Sequence, residues 1–168
     1  EAHSARVAEL CVLIGRKLGM KNTDINLLKM ISNLHDIGKI AIDSSILNKP
    51  AALAKDEWEA IKKHPEIGYR ILATSPEYAE IAYDILSHHE RYDGKGYPRG
   101  LKGDNIPYRA RIICVADAYD AMTSIRTYKK QMTKDEAIDE LVRNSGSQFD
   151  PEIVSAFISV LKDSDTSL

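Results

Sequence analysis

Cysteine is scarce: the 168 residues hold two, Cys11 and Cys114, both in apolar helical contexts and with no CxxC spacing. That excludes a disulfide framework or a thiolate zinc site, suits a reducing compartment, and leaves both thiols as core residues. No apolar run approaches the ~20 residues of a membrane-spanning helix, and no signal-peptide pattern opens the chain. The expected location is cytoplasmic, with an anchor in a missing upstream segment as the alternative. Charge of one sign is lacking too. Lysine and arginine number 23 against 25 acidic residues, a net charge of −2, so nothing recruits duplex nucleic acid or an anionic membrane wholesale and any anion site must be local. Nothing alternates convincingly at period two, and there is neither an internal repeat nor a low-complexity linker. What remains is one all-α domain over residues 1–168, large enough to bury roughly two-thirds of the surface its unfolded chain exposes. The helical pattern is already under way at Glu1, which reads as a fragment with a regulatory or sensor domain upstream.

The helices follow from apolar spacing and from their ends. Val7, Leu10, Cys11, Ile14 and Leu18 form one face, with Gly19 placed for a left-handed cap. Thr23 or Asp24 is expected to cap a second helix through Ile25, Leu28, Ile31 and Leu34, closed by Gly38. After an irregular stretch to about Leu53, "KDEWEAIKKHPEIGYRIL" reads as two short helices broken before Pro65. Ser75 and Pro76 start a helix that reaches His88 and His89. "ERYDGKGYPRGLKGDNIP" carries four of the nine glycines and two of the six prolines, and is expected as a long ordered loop over residues 90–107. "YRARIICVADAYDAMTS" is a further helix; Thr133 with Glu136 makes a capping box, and Asp150 with Pro151 opens the last helix. The fold class is an irregular bundle of about seven helices.

Polar residues then stand where a core should be. The five histidines, His3, His35, His64, His88 and His89, all fall on or at the ends of these helices. A single imidazole there is ordinarily a satisfied core or surface residue. "HD" at 35–36 and "HH" at 88–89 crowd polar groups that all need partners, and a metal satisfies them at once. Adjacent helical positions diverge by about 100°, so one of each pair can bind one ion while its neighbour reaches a second. Asp36 is the natural bridging carboxylate, and Asp117 supplies a further oxygen. Imidazole and carboxylate without thiolate suit two divalent ions, iron or manganese before zinc or nickel.

"HDIGK", "SHHERYDGKGYPRGL" with "IPYRARI", "ADAYDAMTSIRTY" and "SQFDP" together resemble the HD-GYP family, a branch of the HD metal-dependent phosphohydrolases that cleaves cyclic di-GMP. The match runs from His3 to about Phe157. By position, it implies an HD-type helical bundle whose metal ligands are His3, His35, Asp36, His64, His88, His89 and Asp117. It also implies that Lys39 lies beside the reacting phosphate and that Arg126 and Lys129 hold substrate phosphates. Gly96, Tyr97 and Pro98 are the GYP signature, linked in the family to loop shape and to docking of GGDEF domains. Some members add a third metal through a glutamate one turn before the first histidine; that position precedes Glu1, so the nuclearity stays open. Asp43, Ala51 and Ala54 depart from the family's usual proline, glycine and threonine in the loop after "HDIGK".

The resemblance implies hydrolysis of cyclic di-GMP to linear pGpG, GMP or both. Two metals sharing a water lower its pKa and stabilise charge on both oxygens of an in-line displacement, while Asp36 and Lys39 carry the protein's part. From Glu90 to Arg111 six basic residues face three acidic ones, an excess suited to two phosphates, and Tyr92 and Tyr97 offer flat faces for bases. Expected partners are the cyclic dinucleotide, a GGDEF-domain protein, an upstream receiver or sensor domain, and a second copy in a homodimer. Three other functions compete. A receptor that binds without cutting requires a lost ligand or lysine, and none is lost; its milder form is a GGDEF-docking module with little activity. An HD hydrolase of nucleoside triphosphates or guanosine tetraphosphate would lack "HHE...DGKGYP", and an HD-fold oxygenase has no need of Arg126 and Lys129.

Overall fold

The computed structural model describes residues 2–125 and 130–164. In chain order these form α1 (Ala2–Lys17), α2 (Asn22–Leu34), α3 (Ser44–Leu47), α4 (Lys55–Ile61), α5 (His64–Ala73), α6 (Ala79–Ser87), α7 (Tyr108–Thr123), α8 (Lys134–Arg143) and α9 (Pro151–Asp163). Short 3₁₀ turns lie at Ile37–Ala41, Pro76–Tyr78 and Gly103–Asn105. No strand forms among the described residues, so the all-α expectation holds; the single turn α3 adds to the expected count. None of these helices is long and apolar enough to cross a membrane.

Helix α7 is the axle. Its buried residues Ala110, Ile112, Ile113, Val115, Ala116, Asp120 and Met122 point in several directions, because α1, α6, α8 and α9 all pack against it. Val7, Cys11 and Ile14 of α1, Leu28 and Ile31 of α2, Ile81 and Ile85 of α6, Leu141 of α8, and Ile153 and Phe157 of α9 complete one core. Each fully buried aliphatic or aromatic side chain contributes roughly 1.5–3 kcal/mol. Both cysteines are free thiols, as expected.

Several ends differ from their sequence signals. Helix α2 starts at Asn22 after Lys21, so neither Thr23 nor Asp24 caps it. It stops at Leu34, before Gly38, which lies inside the 3₁₀ turn. Gly38 acts through space instead: a Cβ there would lie 1.9 Å from the His64 carbonyl oxygen and 2.7 Å from the Gly68 nitrogen. The turn therefore presses directly onto the start of α5. Ser75 makes no side-chain cap, and Pro76 opens a 3₁₀ turn that hands over to α6. The capping box of Thr133 and Glu136 and the Asp150 cap form as expected.

The loop after α6 is held from inside. Buried Glu90 accepts the backbone N–H groups of Arg99 (2.7 Å) and Leu101 (3.0 Å), while Tyr92 and Asp93 donate to the Gln148 and Ser147 carbonyls. The Tyr97–Pro98 peptide is cis.

Candidate metal centre

A helix leaves its last carbonyls without intrahelical partners. Three histidines use that fact in the same way. His35, just past α2, sets Nδ1 2.6 Å from the Ser32 carbonyl oxygen; His64, the first residue of α5, sets it 2.7 Å from that of Ile61, the last residue of α4; His88, just past α6, sets it 2.6 Å from that of Ile85. A ring nitrogen facing a carbonyl must carry the proton, so each neutral ring turns a bare Nε2 inward. This is the outer-shell arrangement that fixes metal-ligating histidines.

The inward nitrogens have no donors to meet. The His35 Nε2 is fully buried without a hydrogen-bond partner among the described residues, and the Nε2 atoms of His64 and His88 face each other at 3.1 Å. Lone pair against lone pair is repulsive, and an orphaned buried acceptor costs about 1–3 kcal/mol. A cation removes both costs. The donor set thus fits divalent metal, on geometry alone.

Two groups of potential ligands come together: His64, His88 and His89, and His3, His35 and Asp117, the ligand atoms in each lying within 4.8 Å of one another. Asp36 stands between them. Its Oδ1 lies 3.3 Å from the His64 Nε2, while Oδ2 lies 3.5 Å from the His35 Nε2 and 3.9 Å from that of His3. All seven sequence-predicted ligands therefore surround one volume. Burial opposes ionisation of Asp36, but its polar neighbours, the Lys39 ammonium 2.7 Å from Oδ2 among them, outweigh that and lower its pKa. Asp117 stays below its ordinary value for similar reasons: burial raises it, and the bond from His3 more than offsets this. Burial drives His88 well below an ordinary imidazole and His89 down to about 3, so both are neutral and free to ligate at neutral pH.

His3 is set differently. Its Nε2 lies 3.0 Å from Asp117 Oδ1 and its Nδ1 2.6 Å from Asp120 Oδ2, so the Asp117 contact, helped by Asp120 and opposed by burial, raises its pKa. Asp120 is in turn gripped by Arg6, through Nε at 2.6 Å and Nη2 at 3.0 Å. Arg6 and Asp120 stand outside the sequence-predicted set. Their signal is a matched spacing: His3 and Arg6 on α1 and Asp117 and Asp120 on α7 are each three apart, so two helical faces meet pair to pair.

An HD domain model matches residues 1–153. The chain belongs to the HD domain family. It is 43% identical over 155 residues to the cyclic di-GMP phosphodiesterase response regulator RpfG of Xanthomonas campestris pv. campestris, covering 91% of this chain and 41% of that protein. It is 39% identical over 159 residues to the 3'3'-cGAMP-specific phosphodiesterase 2 of Vibrio cholerae serotype O1, covering 94% of this chain and 30% of that one. Among solved structures, Bd1817, an HDG"Y"P protein from Bdellovibrio bacteriovorus, superposes with a TM-score of 0.77 at 21% identity, over 95% of this chain and 51% of that chain. At that identity the likeness speaks for the HD-type all-α fold. The chain spans less than half the length of the two relatives. The HD-GYP resemblance drawn from the motifs agrees with these relatives. HD domain phosphohydrolases are metal-dependent, and this chain carries the histidine and aspartate cluster.

Lys39 sits on the 3₁₀ turn, its Nζ 2.7 Å from Asp36 Oδ2, and faces a cleft of about 420 Å³ over the cluster. Arg126 and Lys129 lie outside the described residues. The arginines between residues 90 and 111 are engaged internally: Arg91 with Asp93, Arg99 with Ser87, Arg109 with Asp84, and Arg111 with Asp150. None of them lines the cleft. Tyr97 does, but it is stacked on His89, centroids 5.1 Å apart at 17°, so the GYP segment buttresses that ring. Gly96 permits this approach, since a Cβ there would lie 2.6 Å from the His89 carbonyl oxygen.

Proposed function

We propose that the chain is a metal-dependent phosphodiesterase domain that hydrolyses cyclic di-GMP to linear pGpG, GMP or both. The observation that carries it is Asp36, a carboxylate lying between two groups of potential ligands, 3.3 Å from the His64 Nε2 and 3.5 Å from a buried His35 Nε2 that has no partner among the described residues. His3, His35 and Asp117 would hold one divalent ion, His64, His88 and His89 the other, and Asp36 both. Nitrogen and carboxylate donors favour iron(II) or manganese(II), with zinc or nickel next. When bound, the pair supplies an activated water and charge stabilisation on the phosphoryl oxygens. Asp36 orients both halves of the site. The Lys39 ammonium, 2.7 Å from Asp36 Oδ2 and lining the cleft, would protonate or stabilise the departing 3′ oxygen as the P–O3′ bond breaks. Arg126 and Lys129 hold the substrate phosphates.

Anaerobic purification with metal counting, and turnover of cyclic di-GMP by the parent and by Asp36→Ala, tests this. Two divalent ions per chain and a loss of turnover beyond about 100-fold are expected, because even outer-shell partners of a metal account for about 10–100-fold. Hydrolysis that survives Asp36→Ala removes the mechanism. A relative named for 3'3'-cGAMP makes that dinucleotide the second substrate to assay.

Residues 1–168 act as one cytoplasmic domain under an upstream receiver or sensor domain, and pair as a homodimer. A GGDEF domain docks on the half-buried Gly96, Tyr97 and Pro98; failure of the two to co-elute in size-exclusion chromatography rejects that contact.

A further inference from the structure

The cleft over the histidines has one wall without charge, made by Leu47, Leu53, Trp58 and Ile61. Trp58 is the chain's only tryptophan, and it is 47% exposed. With Leu47, itself 38% exposed, it makes an open apolar patch on a cleft beside a polar cluster, and such a patch rimmed by polar groups marks a binding surface. Its helix, α4, is firmly set: Glu57 Oε2 accepts the Ala54 N–H at 2.7 Å and the Lys49 ammonium at 2.6 Å. Trp58 is thus presented on a fixed element at the mouth of the site.

The other aromatic of the cleft is already occupied. Tyr97 stacks on His89, and the Lys62 ammonium lies 5.8 Å from its ring centroid. Tyr92 does not line the cleft. A cyclic dinucleotide whose phosphate sits at the histidines must lay a base along the uncharged wall. We propose that Trp58 is the stacking platform for a purine base of the substrate, and so the residue by which the cleft prefers a nucleotide diester over a bare one. This rests on the phosphodiesterase function proposed above.

The lone tryptophan reports on itself. Guanosine 5′-monophosphate and ribose 5-phosphate differ only by the base, and neither is a diester. Indole fluorescence of the metal-loaded parent should be quenched saturably by the first and left unchanged by the second, after inner-filter correction. In kinetics, Trp58→Ala should raise KM for cyclic di-GMP about 10-fold or more while kcat moves much less, and Trp58→Phe should restore most of the loss, since base–aromatic stacking accounts for about 5- to 150-fold per base. Equal quenching by the two phosphates, no quenching, or a Trp58→Ala effect confined to kcat overturns the proposal. Parent turnover of cyclic di-GMP and of bis(p-nitrophenyl) phosphate is the separate readout of the reaction: absence of both sinks the phosphodiesterase function, whereas turnover with a silent Trp58 sinks only the platform.

Discussion

At the scale of single residues, a ligand is only as good as what holds its far side. His35, His64 and His88 lean on helix-end carbonyls, which substitution cannot remove. His3 leans on a side chain, Asp120, which can be changed. Asp120→Asn keeps the shape but offers no second charge to the imidazole, and leaves Arg6 with a weaker partner. The expected result is a 10–100-fold weaker metal affinity, read by metal retained after dialysis against graded chelator. Unchanged retention would make Asp120 a packing residue. The same scale shows what a sequence can carry. His35–Asp36 and His88–His89 were legible because two adjacent polar groups at the end of an apolar helix have no cheap alternative to a shared ligand. Asp120 was not, since an aspartate three residues after another on a helix looks like any solvated pair.

At the scale of elements, α4 lacks half of its start. Glu57 returns to the Ala54 N–H at 2.7 Å, but Ala54 has no hydroxyl to accept from the Glu57 N–H in exchange. Ala54→Thr supplies it, and the extended backbone at this position (φ −67, ψ 164) suits a cap. The expected gain is about 1 kcal/mol, seen as a higher denaturant midpoint with an unchanged m-value. No gain would mean that Lys49 on Glu57 already fixes the helix start. The sequence marked position 54 as unusual without showing that the partner carboxylate had stayed. Gly38 is the counterpart: read as a helix terminator, it serves a close backbone approach that only the packing of the turn on α5 creates.

For the whole molecule, burial of neutral imidazoles makes the metal-free fold sensitive to acid. Unfolded histidines take up protons as the pH falls through 6.5, while folded His89 waits until about 3 and His88 also sits well below 6.5. The unfolded state therefore binds more protons, and stability falls as pH drops from 6.5 towards 3; His3, raised by Asp117, acts above that window, where its stabilisation is lost as pH rises, and is constant within it. Thermal melts of chelator-treated protein should show this fall, and saturating metal should move it to lower pH by holding the rings deprotonated. Melts indifferent to pH across that window would mean that the imidazoles are not buried neutral. The sequence by itself determined the helical class, most helix ends and the chemistry of the candidate ligands, because apolar spacing, caps and residue types act locally. Only the tertiary structure decided which nitrogen of each ring faces inward, that Asp36 lies between the two groups, that Tyr97 is occupied by His89, and that Trp58 is left open. Those depend on contacts between residues far apart along the chain, and no local pattern encodes the distance between them.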